Sequence, residues 1–202
     1  MAQIPLQTAS EVFALAETFL RPAVFLDRDG TICEEVGYVN HISRLMIYPW
    51  AASAIRRLND ANIVVIVVTN QSGVSRGIFP ESLVQDIHRI MAQELGNSRA
   101  RLDAVYYCTH QREDNCECRK PLPGLLNRAA QEHGLDLERS FVVGDRYADV
   151  ALAHAAGGRG VLVFSGYGRG EYELHRSEWP RQPDLVTENL DTAVEVILRE
   201  MR

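Results

Sequence analysis

The chain has 202 residues and a mass of 22.7 kDa, which is enough for one domain with a hydrophobic core and short for two. Its composition of 46% apolar and 24% charged residues excludes general disorder and a fibrous repeat. A net charge of −6 disfavours non-specific nucleic-acid binding. Because the sequence shows neither a membrane-span pattern nor a secretory signal, we expect a cytoplasmic protein with no membrane partner and, by default, a monomer.

Short apolar segments along the chain predict strands that are buried on both faces of a sheet. They are rich in β-branched and aromatic residues and lack an alternation of polar and apolar side chains. The five clearest segments are Ala23–Asp27, Ile63–Thr69, Ala104–Cys108, Ser140–Gly144 and Gly160–Phe164, and a weaker sixth is Asp184–Thr187.

Helices are predicted before, between and after these strands. Apolar spacing and boundaries at proline and glycine place them at Ser10–Phe19, Trp50–Ala61, Glu81–Leu95, Leu125–His133, Val150–Ala156 and Leu190–Met201. The polar, glycine-rich stretch Gly166–Pro183 predicts a long surface loop that is in part helical. The alternation of strands and helices indicates an α/β fold, a three-layer Rossmann-like parallel sheet, in a single domain over residues 1–202. Ligands of such folds bind at the carboxyl ends of the strands.

Two carboxylates follow the first predicted strand. Asp27 and Asp29 can face one pocket, in which one carboxylate attacks phosphorus or binds a divalent cation and the other serves as general acid and base. Gly30 permits the backbone turn behind them. A polar turn with a solvated charge pair would have the same sequence, so the motif alone leaves both interpretations open.

The second and fourth predicted strands also end in polar groups. Thr69 begins a run of hydroxyl and amide side chains that can donate to phosphate oxygens or cap a helix. Asp145 and Asp149 add carboxylates that suit Mg²⁺, or alternatively serve as helix N-caps.

Lys120 is the only lysine of the chain, against twenty arginines. It follows Arg119 in a segment stiffened by prolines, and a lysine there can pair with an aspartate and a phosphoryl group. The alternative is a solvated basic pair. Taken together, the four groups predict a phosphoryl-transfer site at one edge of the sheet.

Four potential metal ligands fall in one short segment. Cys108, His110, Cys116 and Cys118 have the spacing Cys-x-His-x5-Cys-x-Cys, which suits a closed tetrahedral Zn²⁺ site in a loop over residues 108–118. Free thiols are the alternative, and a disulfide is disfavoured inside the cell. Cys33 stands apart and is interpreted as a packed side chain.

The strand-end groups resemble the four motifs of the haloacid dehalogenase-like phosphohydrolase superfamily. The resemblance is carried by Asp27-x-Asp29-Gly30-Thr31, Thr69, Lys120 and Gly144-Asp145-x3-Asp149. Three longer strings, at 25–40, 69–76 and 118–124, resemble the family of D-glycero-D-manno-heptose 1,7-bisphosphate 7-phosphatases and its histidinol-phosphate phosphatase relatives. Members of this family have no large cap domain, and the short gap between the first two predicted strands agrees with that.

The resemblance implies a phosphatase that removes the 7-phosphate of the heptose bisphosphate through an aspartyl-phosphate. Asp27 would be the nucleophile and Asp29 the general acid and base. Thr69 and Lys120 would hold phosphoryl oxygens. Mg²⁺ would be bound by Asp27, the backbone carbonyl of Asp29 and Asp145.

The resemblance also implies which residues contact the phosphorylated sugar. They are Arg28, Glu35, Val36, Gly37, Tyr38, Asn70, Gln71, Ser72, Arg119 and Arg146, and the planar fork of Arg119 suits the second phosphate. A zinc loop of the same kind occurs in the family. The five residues between His110 and Cys116 look shorter than in many members, which bears on substrate preference.

Two other functions fit parts of this pattern. Histidinol phosphate, or another small phosphomonoester, is the rival substrate. Outside enzymes, the rival is a zinc-stabilised binding module with an inert fold, which the net charge and the intact catalytic set disfavour. Loss of phosphatase activity in Asp27→Asn would separate the enzyme from the binding module.

Overall fold

The computed structural model describes residues 20–201. At its centre is a parallel six-stranded sheet with the strand order β3-β2-β1-β4-β5-β6. The strands are β1 (Ala23–Leu26), β2 (Val64–Asn70), β3 (Ala104–Cys108), β4 (Phe141–Gly144), β5 (Arg159–Val163) and β6 (Leu185–Thr187). The six predicted strands are confirmed to within one residue at each end, and so is the parallel sheet.

Six α-helices connect and follow the strands in the described part of the chain. They are α1 (Ala51–Asp60), α2 (Glu81–Asn97), α3 (Gly124–His133), α4 (Tyr147–Ala155), α5 (Gly168–His175) and α6 (Leu190–Glu200). Single 3₁₀ turns lie at Ile42–Arg44, Arg112–Asp114 and Arg176–Glu178. The predicted helix Ser10–Phe19 lies outside the described residues.

Two helices depart from the predicted boundaries by more than one residue. α2 continues past Gly96, the predicted stop, to Asn97. α4 begins three residues before the predicted start, because the side chain of Asp149 accepts a hydrogen bond from the backbone N–H of Arg146 and caps the helix there. α5 lies within the stretch Gly166–Pro183, which confirms the prediction that this loop is in part helical.

The core lies on both faces of the sheet, which gives the predicted three layers. Successive strand residues point to opposite faces. Val24 and Leu26 of β1 pack with one apolar cluster that contains residues of α1, α2 and α6. Ala23 and Phe25 pack with a second cluster that contains residues of α3 and α4. Full burial of a side chain such as Phe25 or Leu26 stabilises the fold by roughly 1.5–3 kcal/mol.

The strands that carry the predicted site residues are neighbours in this sheet. β1 pairs with β2 on one side and with β4 on the other, so the carboxyl ends of all three lie side by side. Between β1 and α1 the chain forms one 3₁₀ turn and no cap domain. Within residues 20–201, no helix has both the length and the apolarity to cross a membrane.

Candidate active site

The predicted catalytic residues meet in one cleft at the carboxyl ends of the strands. The cleft has a volume of about 770 Å³. Asp27 follows β1, Thr69 lies near the end of β2, and Asp145 follows β4. Asp29 and Lys120 also line the cleft. The topology thus brings together residues that are up to 118 positions apart in the chain, since 145 − 27 = 118.

Asp27 is nearly buried, and one of its oxygens is held on the protein side. Its Oδ1 accepts a hydrogen bond from the backbone N–H of Arg28 at 2.7 Å. The same oxygen lies 2.9 Å from Nζ of Lys120. Because Oδ2 accepts no hydrogen bond from residues 20–201, it is the oxygen available to a ligand in the cleft.

Lys120 is buried between two carboxylates. Its Nζ lies 2.6 Å from Oδ1 of Asp149 and donates to the backbone carbonyl of Val68 at 3.1 Å. Burial opposes its charge, but the carboxylates of Asp149 and Asp27 outweigh burial and raise the pKa of Lys120. The side-chain amide of Asn70 holds the Lys120 backbone from both sides, accepting from N at 3.1 Å and donating to O at 3.4 Å.

Three buried carboxylates gather beside Lys120. Oxygens of Asp27, Asp145 and Asp149 all lie within 4.8 Å of one another. Burial and then the charges of Asp27 and Asp149 raise the pKa of Asp145 to about 8. Burial raises the pKa of Asp149 to about 6, although Lys120 acts in the opposite direction.

The donor set around Asp145 fits a divalent cation. Oδ2 of Asp145 accepts from the backbone N–H of Tyr167 at 2.8 Å, whereas Oδ1 is buried and has no partner within the described part of the chain. A buried carboxylate oxygen without a donor, close to two further carboxylates, is costly unless a cation is bound. Hard oxygen ligands of this kind are what Mg²⁺ prefers.

Asp29 is held by a separate set of side chains below the cleft. Both of its oxygens accept hydrogen bonds from the guanidinium group of Arg28, at 3.0 and 2.8 Å. Gln71 donates to Asp29 Oδ2 and to Thr69 Oγ1, each at 3.0 Å. The side chains of Arg28 and Gln71 thus contact predicted catalytic residues and not the cleft.

The four ligands of the predicted zinc loop lie close enough to share one metal ion. The distances between the three sulfur atoms of Cys108, Cys116 and Cys118 are 3.0, 3.5 and 3.7 Å. His110 Nδ1 lies 3.2 Å from the Cys118 sulfur and 3.6 Å from that of Cys108. A tetrahedral Zn²⁺ site with Zn–S bonds of about 2.3 Å has edges of about 3.8 Å, so the cluster has nearly the required size.

Comparison with known proteins supplies relatives over most of the chain. A HAD-hydrolase-like family model matches residues 117–193. The D-glycero-D-manno-heptose-1,7-bisphosphate 7-phosphatase of Thermosynechococcus vestitus is 41% identical over 88% of this chain and 95% of its own. The D-glycero-beta-D-manno-heptose-1,7-bisphosphate 7-phosphatase of Rhodopseudomonas palustris is 46% identical over 68% of this chain and 80% of its own.

A solved structure matches the fold as well. The D,D-heptose 1,7-bisphosphate phosphatase from B. bronchiseptica, complexed with magnesium and phosphate, superposes with a TM-score of 0.82 at 32% identity, over 89% of this chain and 99% of that one. The chain belongs to the heptose-bisphosphate phosphatase family of the haloacid dehalogenase-like hydrolases. As a member of that family it is a phosphatase, and the resemblance stated from its motifs is confirmed.

Most of the residues that the family resemblance assigns to the substrate do line the cleft. They are Glu35, Gly37, Tyr38, Asn70, Ser72, Arg119 and Arg146. Arg28, Val36 and Gln71 do not line it. The structure adds Arg112, Tyr147, Asp149 and Glu171 to the lining. Of these four, Asp149 was visible in the fourth sequence motif, whereas the others carry no motif that sequence reading could have used.

Charged side chains surround the mouth of this family site. Arg112, Arg119 and Arg146 bring three guanidinium groups to the cleft. Arg146 donates to Glu171 Oε1 at 3.0 Å and stacks on the ring of Tyr167 at 3.7 Å. Glu35 is the second carboxylate at the mouth, and burial raises its pKa. The mouth therefore combines an excess of positive charge with two acidic groups.

Proposed function

We propose that this chain hydrolyses the 7-phosphate of D-glycero-D-manno-heptose 1,7-bisphosphate. The observation that carries the proposal is the convergence of Asp27, Asp29, Thr69, Lys120 and Asp145 on one cleft. The curated relatives named above carry that activity in their names. Phosphoryl transfer needs a positioned nucleophile, a proton donor and positive charge, and these residues offer all three.

In the first step, Oδ2 of Asp27 attacks the phosphorus atom and the bond from phosphorus to the sugar oxygen breaks. Asp29 gives its proton to the departing oxygen, so the sugar leaves as an alcohol. The contacts of Asp27 Oδ1 with Arg28 N–H and Lys120 fix the attacking carboxylate. The product is an aspartyl-phosphate on Asp27.

In the second step, Asp29 takes a proton from a water molecule, and the water oxygen attacks phosphorus. The bond between phosphorus and the Asp27 oxygen breaks, which releases phosphate and restores the carboxylate. Two displacements of modest barrier replace one difficult displacement. The proton that Asp29 lost to the sugar is regained from this water.

Charge on the transferred group is held by residues around the nucleophile. Lys120 and Thr69 line the cleft with Asp27, and we infer that the ammonium charge and the hydroxyl donor stabilise the phosphoryl oxygens. Asp27, Asp145 and the backbone carbonyl of Asp29 would hold Mg²⁺, with Asp149 beside them. When bound, Mg²⁺ supplies positive charge that offsets the repulsion between the Asp27 carboxylate and an anionic substrate.

The mouth of the cleft supports a substrate with a second phosphate. Arg112, Arg119 and Arg146 can each bind phosphate through a planar fork. Glu35 and Glu171 would favour the cationic amine of histidinol phosphate instead, which makes that compound the second candidate. Glu171 already forms an ion pair with Arg146, which leaves Arg112 and Arg119 against one carboxylate, Glu35. The net charge at the mouth is therefore positive and favours the bisphosphate.

We also propose that residues 108–118 form a structural zinc loop within a single phosphatase domain. All four ligands are donated by the protein, which leaves the metal no open position. The loop ends directly before Arg119, whose guanidinium donates to the backbone carbonyl of His110 at 2.8 Å. Zinc would thus hold the segment that delivers Arg119 and Lys120. The cytoplasm is the compartment that keeps such thiols reduced.

The test is magnesium-dependent phosphate release from three substrates. Both anomers of heptose 1,7-bisphosphate are compared with histidinol phosphate. The proposal predicts a kcat/KM at least a hundredfold higher for one heptose bisphosphate, which corresponds to about 2.7 kcal/mol. A preference for histidinol phosphate would change the substrate assignment and would not affect the proposed mechanism.

The second phosphate can be tested with one variant and a matched control. Arg119→Lys keeps the charge and removes the fork, so it is expected to raise KM for the bisphosphate roughly tenfold, with little change for a monophosphate. Arg101→Lys changes an exposed arginine that is paired with Asp103 just before β3, and serves as the control. Equal KM changes for mono- and bisphosphate would contradict the role of Arg119.

A further inference from the structure

Arg28 lies between the two catalytic aspartates in sequence, yet its side chain points away from the cleft. It is 1% exposed and is the largest fully buried side chain within residues 20–201. A buried guanidinium group is costly unless its donors are paired. Nε donates to Asp29 Oδ1 and one terminal nitrogen donates to Asp29 Oδ2, so the charged fork binds both oxygens of that carboxylate.

Gln71 closes a second set of contacts around the same carboxylate. Its Oε1 accepts from Arg28 at 3.0 Å, and its Nε2 donates to Asp29 Oδ2. The same nitrogen reaches Thr69, so one amide connects the general acid and base with a residue that holds phosphoryl oxygens. Its side chain has no remaining oxygen or nitrogen to offer a substrate.

His88 supports Arg28 from α2. Its Nε2 lies 3.3 Å from a terminal nitrogen of Arg28. Burial and then the charge of Arg28 lower the pKa of His88 to about 3, so the ring is neutral and does not repel the guanidinium group. The nitrogen that faces Arg28 can therefore accept a hydrogen bond.

We propose that Arg28, Gln71 and His88 are positioning residues that fix the orientation of the Asp29 carboxylate. The inference rests on the proposed function, because it takes Asp29 as the general acid and base. The family resemblance implies that Arg28 and Gln71 contact the substrate. The positioning role takes the place of that assignment. An unrestrained aspartate side chain samples several rotamers, and holding one geometry is a recognised source of rate enhancement.

The decisive experiment is a double-mutant cycle between Arg28→Lys and Asp29→Asn. Lysine keeps the positive charge but cannot bind both carboxylate oxygens through a planar fork. With heptose bisphosphate, we expect kcat/KM to fall about thirtyfold in Arg28→Lys and about a thousandfold in Asp29→Asn. The double variant should match Asp29→Asn within about threefold, because a residue that acts through Asp29 has nothing left to position.

A second substrate separates proton transfer from binding. p-Nitrophenolate leaves without needing a proton at neutral pH, so Arg28→Lys should keep kcat/KM for p-nitrophenyl phosphate within about threefold. Its kcat should fall, with a burst of nitrophenolate, because hydrolysis of the aspartyl-phosphate still needs Asp29 as the base. Gln71→Met, which removes all three hydrogen bonds of the amide, should show the same pattern more weakly.

Three outcomes would overturn the inference. A further loss from Arg28→Lys in the Asp29→Asn background would mean that Arg28 contacts the substrate or the phosphoryl group. Equal losses of kcat/KM on both substrates, together with a lowered Tm in both Arg28→Lys and Gln71→Met, would indicate structural support only. If Asp29→Asn kept the wild-type kcat/KM, Asp29 would not be the general acid and base, and a positioning role toward it would have no meaning.

Failure of the proposed function gives a different result. If the wild-type protein cleaves p-nitrophenyl phosphate but not heptose bisphosphate, the substrate assignment is wrong. The same cycle is then run on histidinol phosphate, whose alcohol also needs a proton, and it supports or overturns the positioning role by the same criteria. Arg101→Lys is the matched control in every comparison.

Discussion

Gly30 and Gly166 make room for the carboxylate of Asp145. Gly30 has a φ of +78°, and a Cβ there would lie 2.2 Å from Asp145 Oδ2. At Gly166, φ is +58° and a Cβ would again lie 2.2 Å from that oxygen. Both positions therefore need glycine for backbone conformation and for space. The two glycines thus allow the Asp145 carboxylate to sit beside the proposed cation site.

Gly30→Ala should displace Asp145 and weaken magnesium binding. The methyl group would overlap the carboxylate, and the left-handed backbone adds about 1 kcal/mol or more of strain. We expect the concentration of Mg²⁺ for half-maximal activity to rise at least tenfold. Gly134→Ala is the matched control, because its φ of +63° carries the same strain while nothing lies within 4 Å of the added Cβ. Equal effects of the two changes on Mg²⁺ dependence would contradict the steric account.

The strands and α5 show why the bounds of some elements can be predicted from sequence and those of others cannot. The strands are apolar because both faces of the sheet are covered, and that burial is visible in the residues themselves. α5 is polar and short, and long-range aromatic contacts lie beside it. Tyr172 of this helix lies 5.5 Å from Phe164 and 6.1 Å from Trp179, and Trp179 stacks on Tyr147 at 4.4 Å.

The proposed zinc loop, residues 108–118, can be tested by removing its metal. We expect about one zinc per chain by elemental analysis, and its loss in Cys116→Ser. Because the loop leads into Arg119 and Lys120, kcat/KM should fall by roughly tenfold or more when the metal is lost. Cys33→Ala, whose sulfur lies outside the cluster, should keep the zinc content. Full zinc binding by Cys116→Ser would contradict the ligand set.

At the scale of the whole molecule, the parallel sheet could be predicted, whereas its strand order and the side-chain network below the cleft could not. Asp27, Thr69 and Asp145 were predictable because the carboxyl ends of parallel strands lie at one edge, and Lys120 because it is the only lysine of the chain. The direction of the Arg28 side chain depends on Gln71 and His88, which lie 43 and 60 positions away. Arg112 and Glu171 reach the cleft from the proposed zinc loop and from α5, so no local pattern marks them.

The buried carboxylates make stability depend on both pH and magnesium. The pKa of Asp145 is about 8 in the folded chain against an ordinary value of 3.8. Between these values the folded state binds the extra proton, so Asp145 lowers the free energy of unfolding of the metal-free protein as pH rises from about 4 to about 8. The raised pKa of Asp149, about 6, adds to this fall at the lower end of the range. The lowered pKa of His88, about 3, acts in the opposite direction up to its ordinary value of 6.5, so the net fall is clearest between pH 6.5 and 8.

Mg²⁺ should therefore raise the Tm more at pH 8 than at pH 5.5. A ligand at a hundred times its Kd adds about 2.7 kcal/mol, which corresponds to roughly 5–10 °C for a chain of this size. Asp145→Asn should flatten the pH dependence of the Tm measured in EDTA and remove most of the magnesium effect. A Tm in EDTA that rises between pH 5.5 and 8 would contradict the assignment.

The most direct test is to trap the phosphoryl group on Asp27 in Asp29→Asn with p-nitrophenyl phosphate as the phosphoryl donor. Its leaving group needs no proton, so the variant still forms the aspartyl-phosphate but hydrolyses it slowly, and acid quenching with peptide mass spectrometry should find the mass of one phosphoryl group on the peptide that contains Asp27. No such mass should appear in Asp27→Asn. Phosphate release at the wild-type rate by Asp27→Asn, or a phosphoryl group on another residue, would contradict the central claim.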